Sequence, residues 1–194
     1  RLAEDDQGSV ALETMLRGIC KKENFLDLFE NFILFDHSGG RTAKILARNH
    51  QYLGVNEAMK AYSARKLNDG KLGVFWHTQG SGKSYSMVFF AQKIRRKFEG
   101  SPTFVILTDR EELNSQISDT FENCGLLGKN KSSQFIAASG ENLVQKLKGN
   151  PSFIFTLIQK FNKPNLEPIY PDHDIIIMSD EAHRSQINLD QKVK

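Results

Sequence analysis

The hydrophobic period of this chain changes partway along its length. The first 23 residues mix charges with scattered apolar positions and suit a connector carrying one short helix, from Val10 to Ile19. From Asn24 the positions Phe25, Leu28, Phe29 and Phe32 recur at helical spacing, with Asn24 as the expected cap of the first turn. That helix is expected to end before the turn signal Ser38-Gly39-Gly40. A further helix is predicted from about Asn56, with Val55, Ala58, Met59 and Tyr62 on one side, to a stop near Gly70.

Beyond Leu72 short apolar runs alternate with amphipathic stretches. The runs LGVFWHT, TFVILTD, SQFIAAS, FIFTLIQKF and DIIIMSDE are predicted as strands, with a helix after each of the first three. Met87, Phe90, Ala91, Ile94 and Phe98 form one helical stripe, and Leu113, Ile117, Phe121 and Cys124 form another, each expected to cover a face of the sheet. Consecutive apolar positions at Ile175-Ile176-Ile177-Met178 suit a strand buried on both faces. This βαβ rhythm predicts the α/β class, with a central, mainly parallel sheet flanked by helices and an N-terminal helical connector.

Composition narrows the picture without deciding it. A chain of 194 residues, 39% hydrophobic and 25% charged, has the balance of a soluble globular protein with one sizeable core. Its 26 basic and 23 acidic side chains nearly cancel, so any contact with nucleic acid has to be argued from motifs. Cys20 and Cys124 stand far apart with no CxxC or Cys/His cluster, which argues against structural zinc and a disulfide framework and for reduced, cytoplasmic chemistry. No run of about 18 apolar residues is present, so no membrane association is expected. The chain begins RLAEDDQG, without Met or a signal-peptide pattern, and ends at DQKVK, so it is expected to be a piece of a longer protein.

The segment His77-Thr78-Gln79-Gly80-Ser81-Gly82-Lys83-Ser84 lies between a predicted strand and a predicted helix, the setting that a phosphate-binding loop requires. Gly80 and Gly82 let the backbone turn tightly towards a polyphosphate, and the helix N-terminus adds partial positive charge. Lys83 supplies a point charge for the β- and γ-phosphates, and Ser84 a hydroxyl for magnesium. Thr78 to Ser84 are therefore the candidate ATP-binding residues. His77 occupies the first glycine position of the general GxxxxGK[ST] pattern, a departure from it. The plain alternative is a Gly/Ser turn leading into a helix.

Asp180-Glu181-Ala182-His183 follows the last apolar run, which puts the two acids at the carboxyl end of a strand, where open α/β sheets bind ligands. Asp180 is the candidate magnesium residue and Glu181 the candidate base that positions the attacking water, with Lys83 as the third catalytic residue. The plain alternative is an acidic pair at a helix N-terminus.

Together HTQGSGKS, TDREELNSQ and SDEAHRSQ resemble the superfamily 2 helicase-like motors, and their wording is similar to that of the motor (R) subunits of type I restriction enzymes. The resemblance covers about residues 24 to 187 and implies a RecA-like P-loop lobe. On this reading residues 1–46 are a linker from an upstream nuclease domain, and residues 47–194 are the first motor lobe, cut off after the DEAH motif. It also implies ATP-dependent translocation of double-stranded DNA, coupled to cleavage by a complex with methyltransferase (M) and specificity (S) subunits. ATP and magnesium are the implied cofactors, with S-adenosylmethionine bound, if anywhere, by the partner subunits.

The resemblance also assigns residues. Gln51, in the stretch ARNHQY, takes the place of a glutamine that reads the adenine edge, and a side-chain amide can both donate to and accept from that base. Arg110 in TDREELNSQ, and Gln159 and Lys160 in the TxQKF segment, take DNA-facing places. His183 takes a place that couples the ATP site to the DNA side. The family's nuclease pattern needs an acid two residues before a lysine, and no Glu-x-Lys occurs in this chain, so it is expected not to cut DNA by itself. An arginine finger from a second lobe is worth on the order of 10³–10⁵ in rate, so the chain alone is expected to bind ATP weakly and hydrolyse it poorly. The rivals are another superfamily 2 motor, such as an RNA helicase or a chromatin-type translocase, and an ATP-binding regulatory module that never turns over.

Overall fold

The computed structural model describes residues 11–78, 80–129, 131–161 and 173–180. The chain divides into two compact units, residues 1–96 and 97–194. Each has its own core, and together they give the α/β class.

In the first unit, α1 (Ala11–Ile19) and α2 (Lys22–Asn31) are followed by two short strands, β1 (Ile33–Asp36) and β2 (Ala43–Leu46). These pair antiparallel, with Ile33 opposite Leu46 and Asp36 opposite Ala43. The turn signal at residues 38–40 is thus the tip of a hairpin rather than a helix stop, with Gly39 and Gly40 at φ 67° and 74°. Asn24 does not cap α2. It sits within the first turn, and its side chain reaches back to donate to the Gly18 carbonyl at 2.8 Å, tying the end of α1 to α2.

Helix α3 (Asn49–Ser63) begins seven residues earlier than its apolar period suggested. Gln51, in its first turn, accepts a hydrogen bond from the Arg48 backbone N–H at 2.8 Å, the reciprocal half of a capping box. Gln51, Val55, Met59 and Tyr62 then form its buried face. The helix ends at Ser63, where the Ala64 N–H closes on the Lys60 carbonyl, and the chain then turns through Asp69 and Gly70, both at positive φ.

The run from Leu72 to Thr78 is not a strand. Val74 and Trp76 are 89% and 87% exposed. An apolar run becomes a strand only where a neighbour completes its hydrogen-bond ladder, and among the described residues of this unit β1 and β2 pair only with each other. Phe75 instead lies against α3 at Gly54, where an added Cβ would fall 2.2 Å from the ring. Helix α4 (Lys83–Lys97) follows the glycine turn and buries a broader face than its predicted stripe, including Val88, Phe89, Phe90, Ala91 and Ile94. Phe89 meets Phe32 at a ring separation of 5.6 Å, which joins α4 to the α2 end of the core.

The second unit is a three-stranded parallel sheet in the order β4-β3-β5, built from β3 (Thr103–Thr108), β4 (Phe153–Leu157) and β5 (Ile175–Ser179). Helix α5 (Glu111–Asn123) covers one face, where Phe121 meets Phe153 and Phe155 edge-on at 5.3 Å each. Helix α7 (Gly140–Lys148) covers the other, where Leu143 and Leu147 pack with Val105, Ile154 and Ala137. Side-chain alternation along β3 and β4 therefore feeds two cores, as expected of a sheet covered on both faces.

Two predicted strands are corrected here. SQFIAAS forms the single helical turn α6 (Ser132–Phe135) and then one parallel bridge, Ile136 to Phe155. FIFTLIQKF is a strand only to Leu157 and continues as a 3-10 turn, Ile158–Phe161.

Candidate functional site

The glycine turn of the first unit leads directly into α4, which begins at Lys83, and the first turn of a helix presents backbone N–H groups that have no acceptor within the helix itself. Gly80 and Gly82 adopt φ 75° and 87°, conformations that side chains resist. The turn closes through Ser81 N–H donating to the Thr78 carbonyl at 3.2 Å, and the helix begins with Ser86 N–H donating to the Gly82 carbonyl at 3.1 Å. Lys83 and Ser84 are half-buried and Thr78 is exposed. Gln79 lies outside the described residues. A loop of this kind can hold an anion through backbone N–H groups and the helix dipole.

Gln51 is brought to this loop. The residue is 3% exposed, and its amide donates to the Gly82 carbonyl at 2.9 Å while its oxygen holds the Arg48 N–H. The glycine is required by φ, and an added Cβ would also come within 2.9 Å of the Gln51 amide nitrogen and displace it. The four hydrogen-bonding sites of the amide leave capacity beyond these two bonds.

Sequence reasoning missed the residues that fix the loop from the side. His50 Nε2 lies 3.1 Å from the Ser81 carbonyl, and its ring sits 4.7 Å from that of His77. The His77 ring in turn lies 4.3 Å from Phe75. The residue that departs from the general glycine pattern is thus an aromatic anchor for the loop. Partial burial lowers the pKa of His77, and the positive charges of His50 and Lys83 act in the same direction. At the helix side, the Tyr85 hydroxyl donates to Asp36 on β1, which also accepts from the Ser38 N–H at 2.8 Å. Burial opposes ionisation of Asp36, but these two donors outweigh it and hold its pKa below the ordinary value. The signal was present in the run ILFD, since a carboxylate ending an apolar stretch needs a partner.

In the second unit, the carboxyl ends of the three strands gather another set. Asp180 N–H donates to the Leu107 carbonyl at 2.9 Å, which fixes the start of the acidic motif beside β3. After β3, the Arg110 guanidinium lies 3.6 Å from the Asp109 carboxylate, and the Gln159 amide donates to the Asp109 carbonyl at 3.1 Å. Arg110 and Gln159 are exposed. Lys160 is directed into the protein, with its ammonium 2.5 Å from the Ala137 carbonyl. Glu181 and His183 lie outside the described residues.

Among the described residues no group of three or more His, Cys, Asp or Glu side chains is placed to hold a metal ion. Two Asp-x-Lys spacings occur. Asp69-Gly70-Lys71 falls in an exposed turn, and Asp190-Gln191-Lys192 lies outside the described residues. No described helix is long and apolar enough to cross a membrane.

A model of the SWI2/SNF2 ATPase family matches residues 50–193, which takes in the glycine loop, Gln51 and the acidic motif. The type I restriction enzyme HindI endonuclease subunit of Haemophilus influenzae is 40% identical over 203 residues, an alignment covering all of this chain and 19% of the relative. The SsaAORF53P endonuclease subunit of Staphylococcus saprophyticus is 31% identical over 206 residues, covering 96% of this chain and 21% of the relative. The chain therefore spans about a fifth of the length of these curated relatives.

Proposed function

Because the chain belongs to the SWI2/SNF2 ATPase family, we propose that it is the ATP-binding motor lobe of a type I restriction enzyme's endonuclease subunit. In this reading it drives translocation of double-stranded DNA by a complex that also contains methyltransferase and specificity subunits and that cleaves the DNA. Residues 1–46 serve as the connector from a nuclease domain, and residues 47–194 as the first motor lobe. The observation that carries the reading is the glycine turn at the head of α4, braced by Gln51 on the Gly82 carbonyl and His50 on the Ser81 carbonyl.

Each residue has a task that follows from its chemistry. The N–H groups of Gly80 to Ser84 bind the phosphates, Thr78 and Gln79 complete the turn, and Lys83 neutralises charge on the β- and γ-phosphates. Gln51 uses its remaining hydrogen-bonding capacity on the adenine edge. The Ser84 hydroxyl and the Asp180 carboxylate are hard oxygen donors that fit magnesium, which when bound neutralises charge on the phosphates. Glu181 orients the attacking water, and His183 couples the site to the DNA-facing side. Arg110 and Gln159 are exposed at one sheet edge and suit phosphate contacts along a DNA strand. Lys160 contributes there only by releasing the Ala137 carbonyl.

The test uses the full-length protein with its methyltransferase and specificity partners. ATP hydrolysis is expected to rise on DNA carrying the recognition site. Lys83→Ala and Glu181→Gln are expected to lower that stimulated rate by on the order of 10² or more. Stimulation by RNA in place of DNA overturns the reading in favour of another superfamily 2 motor. An unchanged rate in Glu181→Gln makes the domain a regulatory ATP binder.

A further inference from the structure

A full charge is buried in the first unit, away from the glycine turn. Lys93 lies on α4 about 15 Å along the helix from Lys83, by the 1.5 Å rise per residue, and is 6% exposed. Its ammonium is 2.5 Å from an Asp27 carboxylate oxygen on α2 and 2.6 Å from the Asn56 side-chain oxygen on α3. It also stands 4.7 Å over the Phe32 ring. The Asn56 amide nitrogen donates to the other Asp27 oxygen at 3.3 Å, and Asn31 donates to Asp27 at 2.9 Å. One asparagine thus holds both members of the ion pair, and three helices meet on a single hub.

Such a hub is weak evidence for stability, since well-packed apolar side chains can replace a buried ion pair at little cost. What charges and directed hydrogen bonds add is register. Asn56 lies five residues beyond Gln51 on α3, and Gln51 is the residue that grips Gly82 at the head of α4. A slip of α4 along α3 by one residue is about 1.5 Å, enough to break the 2.9 Å bond from Gln51 to Gly82. An apolar contact tolerates that slip, whereas the bonds among Lys93, Asp27 and Asn56 do not.

We propose that Lys93 is a positioning residue: its buried ammonium, held by Asp27 and Asn56, fixes the axial register of α4 against α3 and so keeps the glycine turn seated on Gln51. This rests on the ATP-binding reading above. Lys93 itself touches no ligand and acts through the pairing of Gln51 with Gly82.

The test is a double-mutant cycle on the full-length protein, with MgATP affinity and thermal midpoint measured in parallel. Replacing the pair by Asp27→Leu with Lys93→Met is expected to weaken MgATP binding about tenfold while the midpoint moves by less than about 5 °C. In a Gln51→Ala background the same replacement is expected to cost no further affinity, because the bond it protects is already gone. Unchanged affinity overturns the proposal, as does an equal loss in both backgrounds. An affinity loss explained by a collapsed midpoint overturns it as well. Lys93→Arg keeps the charge but changes its reach, and it is expected to weaken binding with the fold intact; wild-type affinity in that variant counts against the proposal. Failure of the unaltered protein to bind MgATP strikes the functional reading itself, together with this inference.

Discussion

The Tyr85 side chain, in the first turn of α4, donates its hydroxyl to the carboxylate of Asp36 on β1, 49 residues earlier in the chain. The hairpin therefore holds the helix two residues beyond Lys83. A hydrogen bond to a buried charged group contributes about 1.5–3 kcal/mol, so Tyr85→Phe is expected to lower the stability of the first unit by that amount in urea denaturation. Asp36→Asn combined with Tyr85→Phe is expected to cost less than the sum of the single changes.

The same pair sets a pH dependence. The pKa of Asp36 is lowered in the folded protein, its two donors outweighing the effect of burial. A depressed carboxyl stabilises fully above the unfolded value of about 3.9, and that contribution disappears as pH falls through the folded value. The urea midpoint of the first unit is expected to lose this contribution below about pH 4, and the Asp36→Asn variant to lack that part of the acid transition. An identical acid profile in the variant would count against the assignment.

Gly82→Ala brings two separate faults together. The backbone sits at φ 87°, and the new methyl would lie 2.9 Å from the Gln51 amide nitrogen. Adding Gln51→Ala removes the collision but not the backbone strain, which costs on the order of 1–2 kcal/mol at a left-handed position. MgATP binding is expected to fall in Gly82→Ala and not to recover in the double variant, which also lacks the Gln51 brace on the turn, while part of the stability lost in Gly82→Ala returns, as read by titration calorimetry beside urea denaturation.

At Gly54 helix propensity and function are set against each other. Alanine is favoured over glycine in a helix by about 1 kcal/mol, yet a Cβ here would meet the Phe75 ring at 2.2–2.4 Å. Phe75 carries His77, whose ring lies 4.7 Å from His50. Gly54→Ala is therefore expected to displace the segment before the turn and weaken MgATP binding without a matching loss of helical circular dichroism.

In the second unit Phe121 is the aromatic key between α5 and β4. It is fully buried, and Phe121→Ala is expected to destabilise this unit by about 3–5 kcal/mol. Chemical denaturation should show the loss in the unit containing residues 97–194.

The sequence made the second unit far more legible than the first. β3 and β4 are apolar on consecutive positions because helices cover both faces, a pattern unmistakable at TFVIL; β5 shares it at IIIM, but Ile177 is 59% exposed, so the expected burial on both faces fails there. β1 and β2 are four residues each, with Phe35 and Leu46 exposed, so their period is too short to separate from a helix ending at a glycine turn. LGVFWHT shows the opposite failure, an apolar run without a ladder, placed by one ring against one glycine. The site divides in the same way. The turn at Gly80 and Gly82 and the helix starting at Lys83 were readable because they rest on adjacent residues, and Gln51 was singled out only by a family resemblance. His50, Asp36, Tyr85 and Lys93 act across 31 to 66 residues of chain, where no local pattern records their pairing.

The strand order β4-β3-β5 puts the earliest-made strand in the middle. Phe104 must wait for Phe153 on one side, and Thr103 for Ile175 on the other. As the polypeptide leaves the ribosome, β3 emerges as a bare apolar ribbon with both hydrogen-bonding edges open, and it stays so until most of this unit has been made. Translation speed and chaperone supply over that interval, rather than the stability of the finished sheet, should govern how much of the nascent chain escapes aggregation.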